Sequence, residues 1–406
     1  MVFRRWVMMK MFMAAVGSGQ VVLALMSIFP GIKDKMLKAM EEYGGCFSEK
    51  GLLTSILGPF ILGMGMTLSG ARLLPVVFLS GIDDCEFASL FGADVVLNRA
   101  NDSIPGTMLS TTRGTHIGLI SNECPGMVLA QVGSWTNNAI YTFIGTLIGA
   151  LLYGLVAPFV IRLTRPKKPF EILTVHEKLN VRYVYLALPM ALAIGVVVFL
   201  LEYFIPWQDD IDCWNRNEFA TPGANIFTMK SWSPGVSGAV IGVLQVAIVL
   251  AVGDTLGGSS SYVTIVSQWV ITERLQSMFP YLARARCGIG NWWQVFYVLA
   301  AVAGGALSSW GSDSIGTAPG VSVTTAIFGG ILLLLGARLA AGCTSGHGLS
   351  GMGLLYWFSF LAVPAMFAGG IALAFAMDAT GALSDYHFHD VAVDIPLENC
   401  ANFTMN

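Results

Sequence analysis

Two stretches of this chain, residues 124–161 and 339–377, contain no Asp, Glu, Lys or Arg. A helix needs about 20 apolar residues to cross a hydrocarbon core about 30 Å thick. Each tract is longer than one crossing requires and suits a short re-entrant piece followed by a full helix. Further apolar stretches lie at 6–29, 51–71, 183–204, 234–253, 291–310 and 321–342, with a weaker, polar-interrupted one at 255–271. Only 12% of the 406 residues are charged and 55% are hydrophobic, with a net charge of −3 and a mean hydropathy of +0.67. So few charges cannot cover so much apolar surface in water, which excludes disorder, a nucleic-acid partner and most soluble enzyme classes. Alternating strand patterns are absent, so an outer-membrane barrel is not expected. The fold class expected is an all-α polytopic membrane protein.

Loop charges give a partial orientation under the positive-inside rule. The connection 162–182 carries Arg162, Arg165, Lys167, Lys168, Lys178 and Arg182 and reads as cytoplasmic. The loop 205–230 holds Asp209, Asp210, Asp212 and Glu218 and reads as external, as does the acidic tail 378–406. Arg274, Arg284 and Arg286 draw 272–290 inward. The sequons at Asn101 and Asn402 add a minor vote for external placement if the source is eukaryotic. The first stretch follows Arg4, Arg5 and Lys10 and is read as a retained helix rather than a signal peptide, because it is long and lacks a clear cleavage site.

An internal repeat organises the chain. Gly329, Gly336, Leu339 and Cys343 in the second half match Gly58, Gly65, Leu68 and Cys124 in the first, once residues 72–123 are set aside as a polar insertion. The division expected is 1–170 (with the insertion) and 171–377 as two halves, then the tail. Matching interruptions in two halves point to a transporter's central site. Irregular backbone survives at membrane depth only where it lines a cavity or is buried in protein. Residues 342–353 include five glycines, two serines and a threonine, so they are expected to break a helix. The exposed N–H groups of such a break, with a helix beginning just after it, would favour an anion. Cys124, Pro125 and Gly126 would present the matching break. Residues 346–351 also satisfy G-x-G-x-x-G, but no strand precedes them and the first acid after them is Asp378, so a dinucleotide site is rejected.

The run Gly336-Ala-Arg338-Leu-Ala-Ala-Gly342-Cys343-Thr344-Ser345-Gly346-His347-Gly348-Leu349-Ser350-Gly351 resembles the signature of the YeeE/YedE-type sulfur-transport family of thiosulfate permeases, and Gly58–Ala71 joined to Cys124-Pro125-Gly126 is similar to its first-half counterpart. The resemblance implies an inner-membrane protein of two pseudo-symmetric halves, with about nine spanning helices plus short re-entrant helices meeting at central loops. It also implies that thiosulfate passes central cysteines through transient hydrogen bonds, and Cys124 and Cys343 map onto such positions. A third pathway cysteine is not assigned, and the insertion and acidic tail depart from the family pattern.

The candidate substrate-binding residues are Cys124, Cys343, Gly126, Thr344, Ser345, Gly346, His347, Gly348 and Arg338. A thiol touches a dianion without trapping it, which suits conduction. Two readings stand for Arg338, attraction of anions near the pore or snorkelling to an interface. Two also stand for His347, contact with substrate or a proton, and a bond to nearby backbone. Residues 257–262, after Asp254, form a second polar break that either lines the pathway or makes a close helix contact; Gly17, Ser18, Gly19 and Gln20 read as packing. Cys46, Cys85, Cys213 and Cys400 lie in polar stretches and would suit external disulfides, while Cys287 reads as a reduced cytoplasmic thiol. No metal, cofactor or catalytic element is expected. The partners expected are a small sulfur oxyanion, the lipid bilayer of a plasma or inner membrane, and a soluble thiol sulfur-transfer protein; nucleic acid is excluded. The competing readings are a membrane-embedded sulfur-relay enzyme with a persulfide on Cys343, and a channel for another small anion or solute.

Overall fold

The computed structural model describes residues 7–48, 51–69, 125–165, 174–205, 233–311, 315–316 and 320–379. Among these residues there are helices and no strands; one isolated bridge pairs Thr174 with Tyr356. The helices are α1 Val7–Ile28, α2 Pro30–Ser48, α3 Leu52–Leu68, α4 Pro125–Gly133, α5 Ala139–Thr164, α6 Val175–Lys178, α7 Tyr183–Phe204, α8 Pro234–Ala251, α9 Ser259–Val266, α10 Glu273–Met278, α11 Pro280–Arg286, α12 Ile289–Gly311, α13 Val323–Ala340 and α14 Trp357–Ala379. Seven of them, α1, α5, α7, α8, α12, α13 and α14, are long and apolar enough to cross a membrane. Each charge-free tract holds a short helical piece followed by a long helix, α4 then α5, and a π-helical turn Ser345–Gly351 then α14. The weaker stretch 255–271 is not one long helix: it holds α9 and a 3₁₀ turn, Ser267–Trp269. The insertion 72–123, the tail beyond Ala379, both sequons, and Cys85, Cys124, Cys213 and Cys400 lie outside the described residues.

α13 packs between α3 and α5, and α3 packs in turn on α14. The α3–α13 contact is antiparallel and reciprocal. Gly58 faces Ala340 and Gly65 faces Leu333, while Gly336 faces Leu62 and Gly329 faces Ser69. At each glycine a Cβ would collide with the opposing backbone, so small residues set how closely these two helices approach. The glycines aligned by the repeat, Gly58 with Gly329 and Gly65 with Gly336, therefore occupy equivalent places on the two sides of one interface. Gly145 and Gly149 seat α5 against Ile327 and Ile331 of α13 in the same way.

A second group joins α1, α7 and α8. Gly238 faces Met11 and Gly242 faces Ala15, so α8 runs parallel to α1, while Gly17 meets Ala191 and Ile194 of antiparallel α7. The expected packing role of Gly17 and Gly19 is what the structure gives them, Gly19 lying against the Gln245 amide. Lys10, with its side chain fully buried, pairs with Glu202 at 2.9 Å and also donates to the Ile205 carbonyl.

The helix directions place chain ends on two faces. Val175 donates to the Leu355 carbonyl, which gathers the approach to α7 and the start of α14, while the Thr164 carbonyl at the end of α5 lies against Gly51 at the start of α3. Asn138 donates to the Val321 carbonyl and Gly316 to Ser134, so the start of α5 meets the connection from α12 to α13 at the other end. Lys10 and Glu202 bring the start of α1 to the end of α7.

Candidate functional site

Two interruptions in the helices meet beside the first described turn of α4. α13 stops at Ala340 because Ala341 adopts a left-handed conformation, φ 72°, and its N–H returns to the Ala337 carbonyl. Such backbone is uncommon for a residue with a Cβ and tends to mark a place held by its surroundings. Between α8 and α9, residues 252–258 are non-helical. α4 is described from Pro125 onward. Ser350 Oγ donates to the Leu256 carbonyl at 3.1 Å, joining the first interruption to the second. The Tyr262 hydroxyl of α9, one turn past the second interruption, donates to the Pro125 carbonyl of α4. Cys343 shares one buried core with Val128 and Leu129 of α4 and Tyr262 of α9.

The break at 342–353 differs from its expected form. Residues Ser345–Gly351 wind as a π-helix with all seven residues buried, so most of the N–H groups here close helical rings rather than stand open to a ligand. Donation to an anion is confined to the first turn of this restarted helix. Single π-turns inside helical segments occur often at functional sites. Tertiary contacts hold this one: the Tyr43 hydroxyl donates to the Gly346 carbonyl at 3.0 Å and lies 3.1 Å from Ser359 Oγ. Gly348 sits against the Phe12 ring, and Gly351 against Ser359 and Tyr43.

Within it, Cys343 is 1% exposed, and its Sγ shares a hydrogen bond with Ser345 Oγ at 3.0 Å. Thr344, Gly346 and Gly348 are buried beside it. His347 is fully buried, and its Nε2 lies 3.2 Å from the Ala340 carbonyl. A carbonyl only accepts, so Nε2 carries the hydrogen and Nδ1 is left to accept, with Ser359 Oγ 3.5 Å away. The backbone reading of His347 is the one its geometry supports. Gly126 is buried one residue after the Pro125 carbonyl that Tyr262 holds.

Arg338 lies within two turns of Cys343 but turns toward α9 and α11. Its Nε and Nη2 both donate to the Tyr281 hydroxyl, at 3.0 and 2.6 Å, and Nη1 donates to Ser259 and Ser260 at 3.3 and 3.0 Å. Its guanidinium carbon stands 5.9 Å from the Tyr281 ring centroid. The expected break at 257–262 is helical from Ser259 onward; Ser259 and Ser260 meet Arg338, and Leu256, just before this stretch, meets the π-turn. Asp254, two residues before Leu256, accepts from the Thr255 amide at 2.7 Å. Burial pushes its carboxyl above the ordinary range, against the pull of that amide. Sequence reasoning did not single out Tyr43, Tyr262, Tyr281, Ser350 or Ser359. Tyr262 and Ser350 stood in segments already marked as breaks, whereas Tyr43, Tyr281 and Ser359 carried no local pattern. Among the described residues no His, Cys, Asp and Glu group could hold a metal.

Seven candidate crossings with buried interruptions among them mark a multi-pass membrane protein. The chain belongs to the sulphur transport family, which matches residues 119–372, a range that contains both interruptions and α4. No curated protein matches it.

Proposed function

We propose that this protein carries a small sulfur oxyanion, thiosulfate first, across a plasma or inner membrane, past Cys343 and Cys124. The observation that supports this most is the buried Cys343–Ser345 pair at 3.0 Å, seated where the two interruptions meet α4. A thiol and a hydroxyl in contact offer an oxyanion weak donors that form and release readily. The first turn after Gly342 adds backbone N–H groups from Ser345 and Gly346, with Thr344 and Gly348 keeping the wall small. His347 braces the break through Ala340, Gly126 of α4 supplies the facing side, and Cys124, which precedes Pro125 in the sequence, is the second thiol of the route. The protein acts as a permease, not an enzyme, and a soluble thiol protein takes the sulfur onward.

The same reading divides the chain into pseudo-symmetric halves at 1–170 and 171–377, followed by the tail 378–406. The reciprocal α3–α13 contact supports it. α3 has 17 residues, yet it lies antiparallel along α13 and connects a chain end on one face with the other. Counted as a pass it makes eight, close to the nine that the family resemblance implies, with α4 and the π-turn as re-entrant pieces. The face with the basic connection 162–182 is cytoplasmic.

Reconstituted vesicles test the function. They should accumulate labelled thiosulfate, with sulfate as the competitor, and Cys343→Ala should abolish uptake while the variant still purifies as folded protein. Normal uptake by Cys343→Ala would sink the proposed route.

A further inference from the structure

Arg338 is half-buried and spends four hydrogen bonds on three hydroxyls, those of Tyr281, Ser259 and Ser260. Ser259 and Ser260 are the first two residues of α9. Three residues before Ser259, the Leu256 carbonyl accepts from Ser350 of the π-turn. On the other side of the break, Ala340, two residues after Arg338, holds His347 of the same turn. The contacts form a closed circuit from α13 through the π-turn and residues 252–258 to α9, and back to α13 through the guanidinium.

Hydroxyls are neutral acceptors. Bonds from a guanidinium to an oxyanion are charge-assisted, about twice as strong, and often bidentate. An oxyanion beside Arg338 therefore outcompetes the serine hydroxyls for Nη1. We propose that Ser259 and Ser260 form an exchangeable latch on Arg338: an incoming divalent oxyanion replaces them on the guanidinium and frees the start of α9 from α13. This rests on the sulfur-oxyanion reading and assigns affinity and selectivity to residues outside the cysteine pair. Tyr281 stays on the other edge of the guanidinium, through Nε and Nη2, and positions it during the exchange. Because the hydroxyls compete with the substrate, they lower its apparent affinity by the fraction of time they hold the guanidinium.

The test is oxyanion binding and uptake by the full chain, with thiosulfate, sulfate and sulfite as separate probes. Ser259→Ala/Ser260→Ala should bind the transported oxyanion about three- to tenfold more tightly, the size expected when hydrogen bonds to a charged group stop competing. Ser260→Ala alone should give a smaller tightening in the same direction, which covers a double variant that fails to fold. Ser260→Thr keeps a hydroxyl and should return affinity to the wild-type value. Arg338→Gln should weaken binding more than tenfold, with Arg338→Lys between it and wild type. Unchanged or weaker binding in the folded serine variants would overturn the latch, since a merely structural contact gives no tightening. If the wild type takes sulfate or sulfite in place of thiosulfate, the thiosulfate reading fails, while tightening toward that anion still supports the latch. If it binds none of the three, both fail.

Discussion

Gly65 and Gly336 hold mirrored places on α3 and α13, Gly65 against the backbone of Leu333 and Gly336 against that of Leu62. Neither helix can yield to one added methyl by a rotamer change, because the atoms met are main chain. Overpacking in a close-packed core costs about 1–3 kcal/mol, and more where backbone must move. Gly65→Ala and Gly336→Ala should each lower thermal stability in detergent substantially, and by similar amounts, because the interface is reciprocal. Gly195 has open space around its Cα, so Gly195→Ala serves as the control and should be neutral or slightly stabilising. A large difference between the two interface variants would show that the two sides of this contact are not energetically equivalent.

The buried Lys10 and the partly exposed Glu202 make an unequal pair, with side chains 0% and 39% exposed. Removing the carboxylate leaves an ammonium in the protein interior, a change that costs about 3–5 kcal/mol for a buried ion pair. Removing the lysine leaves a carboxylate that still reaches the surface. Glu202→Gln should therefore destabilise more than Lys10→Met, and the double variant should recover part of the loss. Melting curves of the three proteins in the same detergent would decide it, and equal losses for the two single variants would refute the asymmetry.

The long helices were legible because apolar length alone specifies them: the stretch 183–204 coincides with α7, and the tract 124–161 ends a few residues before α5 does at Thr164. The glycine-rich break was legible as an interruption, but its π-helical form was not. That form depends on Tyr43 and Ser359, which reach it from α2 and α14. Likewise Arg338 was visible as a lone charge in an apolar tract. Its partners were hidden because Tyr281 and Ser259 are 57 and 79 residues away, and no local pattern links them. Pairings of this kind arise from tertiary packing, whereas the interruptions follow from composition.

Asp254 gives a pH dependence with a defined sign. Burial raises its carboxyl in the folded protein, so between the ordinary value near 4 and the raised one the folded state binds more protons than the unfolded state. The contribution of this group to stability therefore falls as pH rises through that window and grows as pH is lowered. Asp254→Asn should flatten this part of the stability profile and raise the melting temperature at neutral pH relative to wild type. Glu42, whose negative charge also raises the Asp254 carboxyl, should act in the same direction, so Glu42→Gln should reduce the dependence in part. An unchanged profile in Asp254→Asn would show that the titration belongs to another group.

Cys287 reports the orientation. It is an exposed free thiol between α11 and α12, directly after Arg284 and Arg286. Tyr281 of α11 stacks edge-on against Tyr153 in the second half of α5, and Leu282 lies against Gly154. α12 then runs from this end to the connection with α13, which meets the start of α5. Cys287 is thus on the face where α5 ends and the basic connection 162–182 begins, the face assigned to the cytoplasm. With Cys46, Cys85, Cys213 and Cys400 replaced by serine, a membrane-impermeant maleimide should label the protein in inside-out vesicles and leave it unlabelled in intact cells. Cys287→Ser in the same background should remove the signal, which isolates it from the two remaining cysteines, Cys124 and the buried Cys343. Labelling from intact cells would invert the whole arrangement, placing the basic connection outside and the end of α7 within. The rule that cytoplasmic loops carry the excess of Lys and Arg would then fail for the most basic connection in the chain.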